Sequence, residues 1–299
     1  MNNSVVKGAG VALVTPFDSN GNPDKAALKR LVDYVVQGGI DFLVALGTTG
    51  EGVTLEQKER EEVLDWILEF NNNRLPIVLG LGGNNTLAIQ RQLKTTHSKD
   101  YAAILSVCPY YNKPQQNGLF EHFKAIATES PFPVILYNVP GRTASNLTAE
   151  TTLKLANEFQ NIIAIKEASG NLFQIMEIIR QKPENFRVLS GDDNLTLPMI
   201  AIGAEGVISV SGQLLPTPFS RMVNFALKGR FDAARDIHYK LYEITELLFA
   251  EGNPSGVKQA LNLINICEPY VRLPLIKVSS VLRDHLNEAI NKIHIEYGK

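Results

Sequence analysis

The sequence predicts an α/β fold: a (β/α)8 barrel of the TIM type followed by a C-terminal helical subdomain. Three observations carry this. Eight short apolar runs recur a few tens of residues apart, amphipathic stretches of helical period lie between them, and the chain after the eighth run is helical in pattern. The runs are nearly continuous in apolar residues instead of alternating, as expected of parallel strands covered on both faces. Strand then helix, eight times over, is the arithmetic of a closed barrel.

In chain order, the first run spans residues 10–17 and stops at Thr15-Pro16-Phe17-Asp18, ahead of an amphipathic stretch at 25–37. The second, 41–47, ends on Gly47 and precedes a charged-face helix at 55–70. The third, 76–82, begins at Pro76, ends in glycines and leads to a helix at 86–97. Runs at 102–109 and 133–137 are bounded by Pro109 and Pro133, since proline punctuates strands. The sixth, 162–168, is followed by a helix at 171–180; the seventh and eighth, 187–191 and 206–210, are bounded by Gly191 and Gly206. Helical patterns then fill 218–226, 231–250, 256–266 and 278–297, more than an eighth helix requires. Residues 1–213 are therefore read as the barrel catalytic domain and 214–299 as a C-terminal helical extension. A doubly wound nucleotide-binding sheet would want Gly-x-Gly-x-x-Gly after the first strand. Gly80-Leu81-Gly82-Gly83-Asn84-Asn85, after the third, comes nearest and fails at its last position.

Charge excludes several partners. Lys and Arg total 29 against 31 Asp and Glu, so no field of one sign is available to hold nucleic acid or an anionic membrane, and a small-molecule partner is the better expectation. Two cysteines, Cys108 and Cys267, are too few for a disulfide framework and fit a reducing compartment. No apolar run approaches the length of a membrane span, and Met1-Asn2-Asn3-Ser4 lacks a basic-then-apolar leader pattern. These features read as cytoplasmic.

Barrel enzymes place their chemistry where strands end. Those ends carry Gly47-Thr48-Thr49-Gly50-Glu51, Pro109-Tyr110-Tyr111-Asn112, Tyr137-Asn138-Val139-Pro140-Gly141-Arg142-Thr143, and Lys166 inside Ile165-Lys166-Glu167-Ala168. Lys166 is the strongest single clue. An ammonium within an apolar run is desolvated, which lowers a lysine pKa, and a neutral amine attacks carbonyls without a metal or external cofactor. The alternative is a lysine snorkelling to the rim or paired with a carboxylate. Glu167 is not that partner, because neighbours on a strand point to opposite faces. The Thr48-Thr49 turn suits a carboxylate held by backbone N–H groups, or simply caps a helical turn. Tyr110, Tyr111 and Tyr137 read as packing aromatics or as proton shuttles beside the lysine. Arg142 reads as a carboxylate fork or a solvated charge.

Absent patterns narrow the class. His97, His122, His238, His285 and His294 all fall in helical stretches or their ends, away from any acidic cluster at a strand end, which disfavours a metal-dependent aldolase or hydrolase. Asp192-Asp193 reads as loop and helix capping, Gly-x-Ser-x-Gly is missing, and Cys108 reads as a small core residue.

Together with Ser169-Gly170-Asn171, Ser190-Gly191-Asp192-Asp193, Glu251-Gly252-Asn253-Pro254 and Arg272-Leu273-Pro274-Leu275, these motifs resemble the dihydrodipicolinate synthase (4-hydroxy-tetrahydrodipicolinate synthase) family, of the pyruvate-aldolase and N-acetylneuraminate lyase superfamily, over essentially the whole chain. The resemblance implies a lyase that joins pyruvate to L-aspartate 4-semialdehyde in lysine and diaminopimelate synthesis, with no cofactor and no metal. It implies Lys166 as the Schiff-base lysine and Tyr137 as the proton carrier. Thr48 would link Tyr137 to Tyr111, the latter reaching in from a neighbouring subunit of a dimer or tetramer. Thr49 and Ile208 would hold pyruvate, and Arg142 the semialdehyde carboxylate. Lyases for N-acetylneuraminate or keto-sugar acids share the lysine and tyrosine, lack the arginine and commonly carry Ser-Thr at Thr48-Thr49. Lysine-inhibited relatives carry a glutamate four residues after the position of Asn84, where this chain has Ala88, and a histidine that appears here as Arg60 or Gln57. The resemblance therefore implies weak or absent lysine feedback.

Overall fold

The computed structural model describes residues 6–96 and 101–297. The reading of Met1 to Ser4 and the placement of His97 lie outside these residues. Eight strands close a barrel in sequence order: β1 (Gly8–Ala12), β2 (Phe42–Ala45), β3 (Ile77–Gly80), β4 (Ala103–Val107), β5 (Val134–Asn138), β6 (Ile162–Glu167), β7 (Arg187–Ser190) and β8 (Gly206–Ser209). Each neighbouring pair is parallel, with β8 returning to β1. All eight predicted strands are present, and their carboxyl ends share one rim.

The first strand is the least well delimited in the sequence. Its predicted span, 10–17, overruns because residues 13–17 are buried and mostly apolar without being strand. Leu13 N–H still donates to the Val44 carbonyl, but Val14 N–H turns to the Gln213 side chain at 3.0 Å, and Pro16 has no N–H to offer. Inside the barrel, alternate residues such as Ala12, Phe42, Val44, Val78, Ile135 and Ile208 form one apolar cluster. Gly10 sits opposite Phe42 in register, and a Cβ there would fall 2.2 Å from the Phe42 ring, so the glycine makes room for the ring.

Helices cover the outside. They run α1 (Lys25–Gln37), α2 (Gln57–Asn71), α3 (Thr86–Thr95), α4 (Gln116–Glu129), the single turn α5 (Pro140–Thr143), α6 (Ala149–Glu158), α7 (Leu172–Gln181), α8 (Thr196–Ala201) and α9 (Pro216–Leu227). Local chemistry sets their starts. Asp24, Asn85, Thr148 and Asn171 each accept a backbone N–H from the first turn, and Glu56 with Glu59 forms a reciprocal capping box. After α9 come α10 (Phe231–Phe249), α11 (Ser255–Leu263) and α12 (Ser280–Tyr297); α10 packs on α9, and α11 and α12 pack on α10. No helix among the described residues is long and apolar enough to cross a membrane.

His122, on the buried face of α4, has Nδ1 2.8 Å from Thr86 Oγ1 and Nε2 without a partner among the described residues. Burial pulls its pKa down to about 4. The folded ring therefore stays neutral while the unfolded chain takes up a proton near its ordinary value of 6.5, so stability is lost as pH falls from about 6.5 toward 4. The loss reaches roughly 3 kcal/mol at the acid end. Denaturation of the chain and of His122→Phe at pH 7 and pH 4.5 checks this: the gap between them shifts in favour of the variant at the lower pH, and a gap independent of pH contradicts it.

Candidate active site

Strand register assembles the centre of the site. Tyr137 on β5 pairs with Lys166 on β6, so both side chains face the same way, and Asn138 pairs with Glu167 on the opposite face. Lys166 is buried, at 6% exposure, with Nζ 4.5 Å from the Tyr137 ring centroid. Glu167 turns outward, accepting from Asn138 Nδ2 at 3.2 Å, Ser169 N–H at 2.8 Å and Gln174 Nε2 at 3.0 Å. Burial raises the Glu167 pKa and these donors oppose the rise. Among the described residues Lys166 meets no carboxylate at ion-pair distance, so the salt-bridge alternative does not describe it.

Lys166 opens into a cavity of about 300 Å³ at the carboxyl rim, lined also by Thr48, Thr49, Tyr137, Arg142 and the loop after β7. A second cavity of about 250 Å³ adjoins it across Thr48, Tyr137 and Arg142, and contains Arg60 and Tyr110. Thr48–Gly50 form a single 3-10 turn with Gly47 ahead of it. The leading N–H groups of such a turn have no internal partners, so those at Thr48 and Thr49 are donors at the cavity wall. Arg142 is the third of the four residues of the turn α5, whose proline occupies the first helical position, where its missing N–H costs nothing.

Five of the seven sequence-predicted residues thus line the cavity, and two do not. Ile208 lies in the apolar barrel interior, and it is Val210, just beyond the end of β8, that reaches the cavity wall. Tyr111 is 89% exposed with φ +75°, outside both cavities. A non-glycine residue in that left-handed region is uncommon, and an exposed ring held there points away from its own chain's centre.

The sequence reading missed three residues. A Cβ at Gly191 would lie 2.9 Å from Lys166 Cε, so this glycine makes room for the lysine stem; the Ser-Gly-Asp-Asp motif was visible, but its spatial role was not. Asp192 behaves as the predicted cap, accepting from Asn194 and Leu195 N–H, and burial raises its pKa. Asp193 does not. Its Oδ2 ties down the start of the loop after β8 through Val210 and Ser211 N–H at 3.0 and 2.7 Å, and its buried Oδ1 meets no donor among the described residues. Asn253, far along the chain, donates to Thr49 Oγ1 at 2.9 Å. Cys108 is buried beside Asn138, and burial raises its thiol pKa, in keeping with a core residue. Among the described residues no three His, Cys, Asp or Glu side chains converge to hold a metal ion.

Residues 5–293 match the model of the dihydrodipicolinate synthetase family. The chain belongs to this family. A 4-hydroxy-tetrahydrodipicolinate synthase of Flavobacterium psychrophilum is 52% identical, the alignment spanning 94% of this chain and 96% of that relative. Among solved structures, dihydrodipicolinate synthase from Aquifex aeolicus superposes with a TM-score of 0.93 at 40% identity, covering 98% of this chain and all of the other. The chloride-inhibited dihydrodipicolinate synthase from Acinetobacter baumannii, solved with pyruvate, gives 0.94 at 36% identity, over 97% and 99% of the two chains. Dihydrodipicolinate synthetase family membership accounts for the order of the rim motifs along the whole chain.

Proposed function

We propose that this chain is a lyase of lysine and diaminopimelate synthesis that condenses pyruvate with L-aspartate 4-semialdehyde. The observation that carries the proposal is a buried lysine without a carboxylate partner among the described residues, beside a tyrosine ring and facing an arginine across one small cavity. The Lys166 amine adds to the pyruvate keto carbon and water leaves, giving an imine. The imine withdraws electrons from the adjacent methyl group, which loses a proton to become an enamine carbon. That carbon attacks the semialdehyde aldehyde, forming the new carbon–carbon bond, and water later releases Lys166.

Each neighbouring residue has a stated part. Tyr137 carries the protons, relayed through Thr48 to Tyr111 of a neighbouring subunit in a dimer or tetramer. The exposure of Tyr111 supports that route. The Thr49 region holds the pyruvate carboxylate on backbone N–H groups, with the region of Ile208 at the end of β8 closing the other side through Val210, which lines the cavity. Arg142 forks the semialdehyde carboxylate. In this reading residues 1–213 form the catalytic barrel and 214–299 its support, the enzyme works in the cytoplasm, and no cofactor, nucleic acid or membrane takes part. Feedback by lysine is weak or absent, because the position that would pair its ammonium is Ala88.

A condensation assay with pyruvate and the semialdehyde gives turnover, and Arg142→Leu raises KM for the semialdehyde by about tenfold or more with little change for pyruvate. Cleavage of N-acetylneuraminate or a keto-sugar acid in place of condensation contradicts the assignment. Tyr111→Phe removes one hydroxyl from the relay and lowers kcat by about a hundredfold with an unchanged melting temperature; full turnover takes Tyr111 out of the relay.

A further inference from the structure

Glu51 directly follows the turn that lines the cavity, and its backbone is left-handed at φ +51°, a conformation a glutamate keeps only when its surroundings impose it. Those surroundings come from the far end of the chain. The Glu51 carboxylate is buried, with Oε1 2.5 Å from Lys258 Nζ and Oε2 accepting from Arg272 N–H at 2.9 Å. Lys258, on α11, is fully buried and also donates to the Tyr270 carbonyl at 2.8 Å, with its ammonium 4.0 Å from the Phe17 ring centroid. The Arg272 side chain spans Gly21 O, Thr54 O and both Glu59 oxygens, fixing the segment after the turn. Two further bonds hold the turn itself: Asn253 Nδ2 to Thr49 Oγ1, and Thr15 Oγ1 to Gly50 O at 2.7 Å.

We propose that the Glu51–Lys258 ion pair, assisted by Arg272 and Asn253, is a clamp by which the C-terminal helices position the Thr48–Thr49 turn to receive the pyruvate carboxylate. These are positioning residues; none is assigned to the reacting atoms. The proposal rests on the function argued above for the identity of the bound acid, and on geometry alone for the clamp. An ion pair is a costly way to join two buried surfaces, since desolvation cancels much of the Coulomb attraction and an apolar pair of equal volume is often as stable. What the pair adds here is direction: the Glu51 carboxylate reaches Lys258 and the Arg272 N–H together only in the observed orientation, which fixes the N–H groups of Thr49 and Thr48, two and three residues earlier.

The test separates position from stability. Lys258→Met leaves the Glu51 charge buried without its cation, lowers the melting temperature and raises KM for pyruvate by about tenfold or more. Adding Glu51→Gln removes the stranded charge, so the double variant regains most of the lost melting temperature while KM for pyruvate stays raised and KM for the semialdehyde, which meets Arg142 on another loop, moves little. Hydrogen exchange of the amides in residues 46–54, measured without substrate, is faster in both variants. A double variant that recovers stability, slow exchange and pyruvate KM together overturns the clamp. Should the unaltered protein fail to turn over pyruvate, the functional reading falls while the exchange measurement still judges the clamp, with unchanged exchange overturning it.

Discussion

The parallel ladder between β5 and β6 is the constraint on which the site depends. Its register sets Tyr137 against Lys166 and Asn138 against Glu167, and strand alternation then sends the first pair inward and the second outward. A slip of one residue exchanges the faces, placing a carboxylate in the apolar barrel and the lysine among Asn138, Ser169 and Gln174. Outward-facing bonds therefore protect the inward-facing chemistry: Glu167 collects donors from Asn138, Ser169 and Gln174, and they hold it on its own side. Gly191 completes the arrangement by leaving the volume that the Lys166 stem occupies.

The two buried lysines illustrate what environment does to one side chain. Lys258 has a carboxylate, a carbonyl and an aromatic ring around its ammonium, and serves as a structural cation. Lys166 has an aromatic ring and an open cavity. An amine with every donor engaged cannot become a nucleophile without breaking the fold, whereas one that faces a cavity can react there. The near-balance of charge across the chain agrees with this division, since the small carboxylates of the proposed reaction call for local cationic groups, not a general excess.

Local patterns in the sequence carried most of the fold and much of the site. The eight strands were legible because parallel strands buried on both faces leave continuous apolar runs, and the error at β1 arose because residues 13–17 are equally apolar while bonding outside the ladder. Lys166, Tyr137, Thr48, Thr49 and Arg142 were legible because strand ends are local features. What escaped was long-range. Asn253 meets Thr49 and Lys258 meets Glu51 across some two hundred positions, and no periodicity encodes such a pairing. Ile208 illustrates the reverse case, a strand residue whose side chain belongs to the barrel interior, while Val210, just after the strand, lines the cavity.

The central claim is that the Lys166 amine is the nucleophile. Borohydride reduction in the presence of pyruvate, followed by peptide mass mapping, tests it most directly. The account predicts pyruvate-dependent, irreversible inactivation with a single reduced adduct on the peptide carrying Lys166; no adduct, or an adduct on another lysine, contradicts it.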